Sequence, residues 1–393
     1  MGYTSLSFPD EATLRARGTR KWTQYPADVL PLWIAESDAA TCPPIMEAVR
    51  AAVDRECFGY PSGQFVSIAE AAAQWQREHY GWDVSADRVR LASDVVRGVA
   101  LAIRYLTRPD SPIVIPTPAY MPFFELAAFT NRQSILIGTD YEDAYRGPNL
   151  QELEAAFAAG AGCLVLANPN NPLGFTYRRE DLEQIVALAD RYNARVISDE
   201  IHAPVMLEGS HLPTASISEL ADKVTVTVTA TSKGWNTAGL KCAQLILNSA
   251  DCTTWDRLPF SVREGVSTLG IAAAEAAYRS GGPWLAEFVE AMRYNRELLV
   301  RRLPEVAPGV KFAPNAASYL AWLDFRDIDA GVASADIAAD PFGWLLKHAR
   351  VAVNPGPGFG NGGAGHARLN YATSPEILNE ALDRIGAAIA AAR

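Results

Sequence analysis

The chain has 393 residues, 49% of them hydrophobic and 20% charged, with a formal net charge of −10. That length and mix fit a folded protein with one large and one smaller domain, and a core that needs no disulfide or metal staples. The acidic balance argues against nucleic acid as the main partner, because neutralising phosphates takes clustered Lys and Arg.

Along the chain, the first eighteen residues contain no apolar stretch of the kind a secretory leader carries. No apolar run anywhere approaches the roughly 18 residues of a membrane span. Five scattered cysteines, at 42, 57, 163, 242 and 252, form no C-x-x-C pair. They fit reduced thiols, with Cys163 a small core residue, so no membrane and a cytoplasmic location are expected.

From about residue 85 to 250, short β-branched runs alternate with helical patterns. The runs are Ile113-Val-Ile, Ser134-Ile-Leu-Ile, Cys163-Leu-Val-Leu-Ala, Arg195-Val-Ile-Ser, Val224–Thr229 and Ala243–Leu247. Helices are predicted over Asn149–Ala159 and Arg178–Tyr192, the second with apolar residues at 182, 185, 186 and 189 along one stripe. The alternation predicts an α/β fold, a mostly parallel central sheet with helices on both faces. The last two runs are too close for a crossover helix, which predicts an antiparallel return.

After residue 268 a helical stretch from Ile271 to about Leu303 is broken near Gly281-Gly282-Pro283. It carries the densest basic cluster, Arg293, Arg296, Arg301 and Arg302, read as a solvated helix face. A strand at Ser318–Asp324, a helix at Phe342–Ala349, a Gly-rich loop at 356–365, a strand at Arg368–Ala372 and a helix at Glu376–Ala392 follow. These predict a large domain over 50–285 and a smaller α+β domain from 1–49 and 286–393. Gly358-Phe-Gly360-Asn-Gly-Gly363 matches G-x-G-x-x-G but runs into a strand-like segment, so it is read as a loop and not a dinucleotide site.

Ligands of open α/β sheets bind beyond the carboxyl ends of the strands, so the residues leaving each strand carry the functional signal. Here they are Pro116-Thr-Pro-Ala-Tyr120, Asn168-Pro-Asn-Asn171-Pro-Leu-Gly174, Asp199-Glu-Ile-His202 and Ser232-Lys233-Gly-Trp-Asn236. Taken singly, a strand-end Asp is a turn residue, a loop Lys a surface charge and a Tyr a rim aromatic. Together they put an aromatic, an amide, a carboxylate and an amine on one predicted rim.

These segments, with Arg368-Leu-Asn-Tyr-Ala, resemble the motifs of the class I/II aminotransferases, the fold type I pyridoxal phosphate (PLP) enzymes. Pro31-Leu-Trp33-Ile-Ala35, Gly59-Tyr60-Pro61 and Gly356-Pro-Gly-Phe-Gly360 are similar to the MalY/PatB branch of cystathionine β-lyases and cysteine-conjugate C–S lyases. The chain departs from that branch at Glu36-Ser-Asp38-Ala, where an aspartate-rich stretch is usual, and at Ser93-Asp94-Val95-Val96-Arg97, where a glycine is usual. Lys241 stands where many relatives carry arginine.

The resemblance implies PLP on Lys233, which also serves as the base at the substrate's Cα. It implies Asp199 on the pyridine nitrogen, Asn171 on the phenolic oxygen and Tyr120 stacked on the ring, with Lys233, Asp199 and Tyr120 as the catalytic set. His202 belongs to the cofactor-binding group. The amides of Val95 and Val96, with Ser232 and Lys241, are implied for the phosphate. Tyr60 would reach the phosphate of a neighbouring subunit, making a homodimer with a shared site. Arg368, Ala35 and Asn171 would bind the amino-acid substrate, and Trp33, Glu36, Asp38, Tyr60 and Trp235 are offered as pocket-lining. The expected reaction is β-elimination from L-cystathionine or a related S-substituted cysteine. Transamination is the alternative, and a PLP-binding regulatory protein a third reading.

Overall fold

A computed structural model describes residues 6–61, 66–141 and 146–393. The first five residues of the segment read for a leader lie outside them. The chain divides into two compact units, Thr41–Asn170 with Phe175–Leu285, and Met1–Ala40 with Asn171–Gly174 and Ala286–Arg393.

The larger unit is built on an eight-stranded sheet. Its strands are β1 (Val89–Ala92), β2 (Ile113–Thr117), β3 (Ser134–Asp140), β4 (Gly147–Pro148), β5 (Cys163–Ala167), β6 (Arg195–Asp199), β7 (Thr225–Ala230) and β8 (Ala243–Ile246). They lie in the order β1-β8-β7-β6-β5-β2-β3-β4. Strands β3, β2, β5, β6 and β7 run parallel. The central ones are apolar without alternation because both faces are covered: Ile113, Cys163, Leu164, Val196 and Val226 are fully buried. Burial pushes the Cys163 thiol up to about 12, as expected of an inert core cysteine.

The expected antiparallel return is present, with Ala230 paired to Ala243 across β7 and β8. The sequence reading did not name β1, whose run is interrupted by Arg90. That arginine pairs with Asp256 at 2.6 Å on the sheet edge, so a charged residue interrupts the apolar signal. The helix Arg179–Arg191 buries Leu182, Ile185, Val186 and Ala189, the predicted stripe. The predicted break falls at Gly281, between helices Thr268–Ser280 and Gly282–Val306. A Cβ at Gly281 would lie 2.5 Å from the Trp235 ring nitrogen, which donates to the Gly281 carbonyl at 3.0 Å.

In the smaller unit, a four-stranded antiparallel sheet has the order β9-β10-β12-β11, with β9 (Lys311–Phe312), β10 (Leu320–Asp324), β11 (Asn354–Pro355) and β12 (His366–Asn370). Strand β12 begins two residues before the predicted strand, because the ladder pairs His366 with Asp324 and Asn370 with Leu320. The Gly-rich loop enters that strand and no helix. Gly356 and Gly363 are required there, since a Cβ on either would lie 2.0–2.1 Å from the other's carbonyl oxygen. The helix predicted at Phe342–Ala349 is one turn, Pro341–Trp344, followed by a wider turn over Leu345–Ala349. Arg296 corrects the solvated-face reading: it is 7% exposed and donates to the Asn315 carbonyl at 2.8 Å.

Candidate active site

Within the larger unit, the candidate residues leave neighbouring strands of one sheet. Lys233 lies in the turn after β7. The turn is closed by a 2.9 Å hydrogen bond between the Thr231 and Thr237 hydroxyls, and by the Trp235 amide donating to the Thr231 carbonyl at 2.9 Å. Gly234 is the only residue that fits beside the lysine, because a Cβ there would lie 2.9 Å from the Pro204 ring. Ser232 and Lys233 are half-buried in this turn. Trp235, offered as pocket-lining, is fully buried and spends its ring nitrogen on Gly281, so it is core.

Asp199 ends β6 and is 4% exposed. Its Oδ1 accepts from the Ile201 amide at 3.1 Å. Burial pushes its carboxyl up to about 7, against the pull of that hydrogen bond and of the Lys233 charge, while neighbouring Glu200 adds to the rise. His202 follows in the same turn and is 2% exposed. Tyr120 leaves β2 half-buried, edge-to-face with Phe123 at 5.6 Å between centroids.

The raised Asp199 carboxyl has a consequence for stability. Between about pH 4 and 7 the folded apo-protein holds a proton that the unfolded chain releases, so stability falls as pH rises through that window. Melting curves of apo-protein should show this slope, and Asp199→Asn should flatten it. An unchanged slope in the variant would assign it to other groups.

The helix Val95–Leu106 starts beside β1. Asp94 caps it by accepting from the Arg97 amide at 2.8 Å, and the first-turn amides of Val95 and Val96 have no carbonyl of their own helix to bond. The second Asp94 oxygen pairs with Lys241 at 3.1 Å, both groups partly exposed. Tyr60 stands apart, 89% exposed on this chain, with Phe58 at 65%.

Within the smaller unit, Arg368 lies on β12 and is 2% exposed. Its Nη1 donates to Asn171 Oδ1 at 3.0 Å and its Nη2 to the Trp33 carbonyl at 3.2 Å; its guanidinium carbon sits 5.0 Å over the Phe359 ring. Ala35 belongs to a backbone strap, 33–36, whose carbonyls are all held by side-chain donors. Asn354 donates to Trp33 at 2.8 Å, Asn370 to Ile34 at 2.6 Å and Glu36 at 2.8 Å, and the Tyr319 hydroxyl to Ala35 at 3.2 Å. Asp38, offered as pocket-lining, is instead buried between the Lys21 ammonium at 2.8 Å and the Trp22 ring nitrogen at 2.7 Å.

The pattern of the aminotransferase class I and II family matches residues 27–385. The chain belongs to the class I and II aminotransferase family. Among curated members, cystathionine β-lyase of Corynebacterium glutamicum is 43% identical over 98% of this chain and 100% of its own length. Cystathionine β-lyase PatB of Bacillus subtilis is 32% identical over 92% and 93%. A crystal structure from Corynebacterium diphtheriae, put forward as a PLP-dependent β-cystathionase, superposes with a TM-score of 0.92 at 43% identity, covering 98% and 99% of the two chains.

For this family member, sequence reasoning missed the supports behind the candidate residues. Asn370 stands two residues after Arg368, on the same face of β12, and was legible only as part of a motif. Glu200 and His211, whose Oε2 and Nε2 lie 2.9 Å apart, carried no separate signal, since the pairing spans a loop.

Proposed function

We infer that this enzyme is a PLP-dependent carbon–sulfur β-lyase that cleaves L-cystathionine or a related S-substituted cysteine to a thiol, pyruvate and ammonia. The observation that carries the reading is a buried carboxylate, Asp199, and an amine, Lys233, leaving neighbouring parallel strands of one sheet, in a chain similar over its whole length to cystathionine β-lyases.

The residues fit the cofactor. A buried carboxyl held up near 7 is stabilised as an anion by a protonated pyridine nitrogen, and helix-start amides suit a phosphate dianion. When bound, PLP supplies the electron sink that lets the Cα proton leave and the Cβ–S bond break. Asp199 keeps the ring nitrogen protonated. Lys233 would hold the cofactor aldehyde and, as a neutral Nζ, would serve as the base for the Cα proton. With Oδ1 of Asn171 turned to Arg368, its Nδ2 is the end that would donate to the phenolic oxygen. Tyr120 covers a ring face, His202 belongs to the ring-side group, and Val95, Val96, Ser232 and Lys241 hold the phosphate. Arg368 grips the substrate carboxylate, with Ala35 beside it in the binding set.

Supplied with PLP and L-cystathionine, the protein should release thiol, pyruvate and ammonia in equal amounts. Consumption of a keto-acid acceptor without ammonia would make it a transaminase.

The enzyme is further read as a cytoplasmic homodimer with a shared site. The exposed Tyr60 and Phe58 rings are apolar surface that a partner subunit would cover. Five free cysteines suit a reducing compartment, and no helix among the described residues is long and apolar enough to cross a membrane. Sedimentation should give a dimer. Tyr60→Phe should raise the PLP dissociation constant about tenfold, the worth of one hydrogen bond to a charged group. A monomer that binds PLP equally well would overturn this reading.

A further inference from the structure

Directly after Asp199 stands a second buried carboxylate that the reaction above does not use. Glu200 is 2% exposed and every polar atom it has is engaged. Its amide donates to the Val228 carbonyl at 2.8 Å. Its carbonyl accepts from the Ala203 amide at 3.0 Å and the Thr229 hydroxyl at 3.3 Å. Its Oε1 accepts from the Ser198 hydroxyl at 2.8 Å and the Thr214 amide at 2.9 Å. Its Oε2 meets His211 Nε2 at 2.9 Å.

The network continues outward. The Thr214 hydroxyl bonds the Ser198 hydroxyl at 2.9 Å and accepts from Asn168 Nδ2 at 3.1 Å. The Asn168 amide donates to the Asp199 carbonyl at 2.9 Å. His211 is 3% exposed and packs edge-to-face on Tyr80 at 5.0 Å.

Glu200 therefore pins three strand exits at once: that of β5 through Asn168, that of β6 on which Asp199 sits, and that of β7, which leads to Lys233. The residue it immediately precedes is Ile201, whose amide fixes the Asp199 carboxylate at 3.1 Å. The bonds to β7 use the Glu200 backbone, but those to Ser198, Thr214 and His211 use its carboxylate, and without them the turn that sets the Asp199 rotamer loses its side-chain anchor. Buried polar groups left half-satisfied also cost more than the bond itself.

We propose that Glu200, held by His211, is a positioning residue for Asp199, and that it acts on recognition of the cofactor's ring nitrogen while leaving phosphate and substrate recognition alone. The proposal rests on the reading of Asp199 as the ring-nitrogen partner. It gives a hydrogen-bonding role to a carboxylate whose charge, so near Asp199, is otherwise unhelpful.

The test measures binding to apo-protein by quenching of tryptophan fluorescence, using PLP and 1-deaza-PLP, which has carbon in place of the ring nitrogen. Wild-type protein should prefer PLP. Glu200→Ala and His211→Ala should each weaken PLP by about tenfold or more, the cost of breaking a buried hydrogen-bonded network, and leave 1-deaza-PLP within about threefold. Glu200→Gln, which keeps the oxygen acceptor and offers an amide to the histidine, should keep PLP within about threefold.

Equal weakening of both cofactors in the alanine variants would reduce Glu200 to a general structural role and overturn the proposal. So would a glutamine variant as weak as alanine. If Glu200→Ala does not fold, His211→Ala and Glu200→Gln carry the same comparison. Wild-type protein that binds both cofactors alike would instead overturn the reading of Asp199, a distinguishable result.

Discussion

Lys233→Ala should lower the rate of thiol release at least roughly 10³-fold, the range expected when a general base is lost from its reacting atom. The same change should abolish the lysine adduct that borohydride traps in the wild-type protein. In the proposed reaction both effects would come from one nitrogen, which would anchor the cofactor and take the Cα proton. The turn that carries it is held by the Thr231–Thr237 bond, the Trp235 anchor on Gly281 and the close approach of Gly234 to Pro204. None of these contacts uses the Lys233 side chain, so truncating it should leave the apo-protein folded, with a melting temperature shifted only as far as its charge acts on Asp199. A small added amine should restore part of the rate, because it can carry the proton but not the tether. A variant that keeps the trapped adduct would place the anchor on another lysine. A full loss of folding would mean that the side chain, and not its chemistry, was measured.

The legibility of this molecule follows from how far each signal reaches along the chain. The parallel strands were readable because residues such as Ile113 to Ile115 are covered on both faces, so the apolar run is local and unbroken. The rim residues were readable because the exit of a strand is a local feature, and Tyr120, Asn171, Asp199 and Lys233 each leave one. Strand β1 was lost because Arg90 belongs to an ion pair with a residue 166 positions away. Asp38 and Trp235 were misread for the same reason. A polar or amphipathic residue near a motif looks available until its distant partner, Lys21 or Gly281, is known. Glu200 lay next to Asp199 in the sequence, yet its role is set by His211 and Thr214 across a loop. Apolar burial is written as a pattern, whereas hydrogen-bond partners are written only in the fold.

Arg368→Ala should raise KM for an S-substituted cysteine by about 30-fold or more, the equivalent of roughly 2 kcal/mol for truncating one partner of a buried charge-assisted contact. Cofactor loading should fall far less, through the lost Asn171 contact alone. The guanidinium is held from three directions, by Asn171, by the Trp33 carbonyl and by the Phe359 ring, and such a fixed planar group can grip a carboxylate through two parallel bonds. Arg368→Lys should recover only part of the loss, since an ammonium keeps the charge but neither the fork nor the stacking on Phe359. The decisive comparison uses an S-substituted cysteamine, which has the amine and the thioether but no carboxylate. Wild-type enzyme should bind it far more weakly than the amino acid, and Arg368→Ala should bind the two alike. Because Arg368 is buried, its removal will also lower the melting temperature. That fall alone does not assign the role, but the lost preference for the carboxylate does. If the variant keeps that preference and loses only stability, Arg368 is a structural residue of the smaller unit, and the carboxylate is recognised elsewhere.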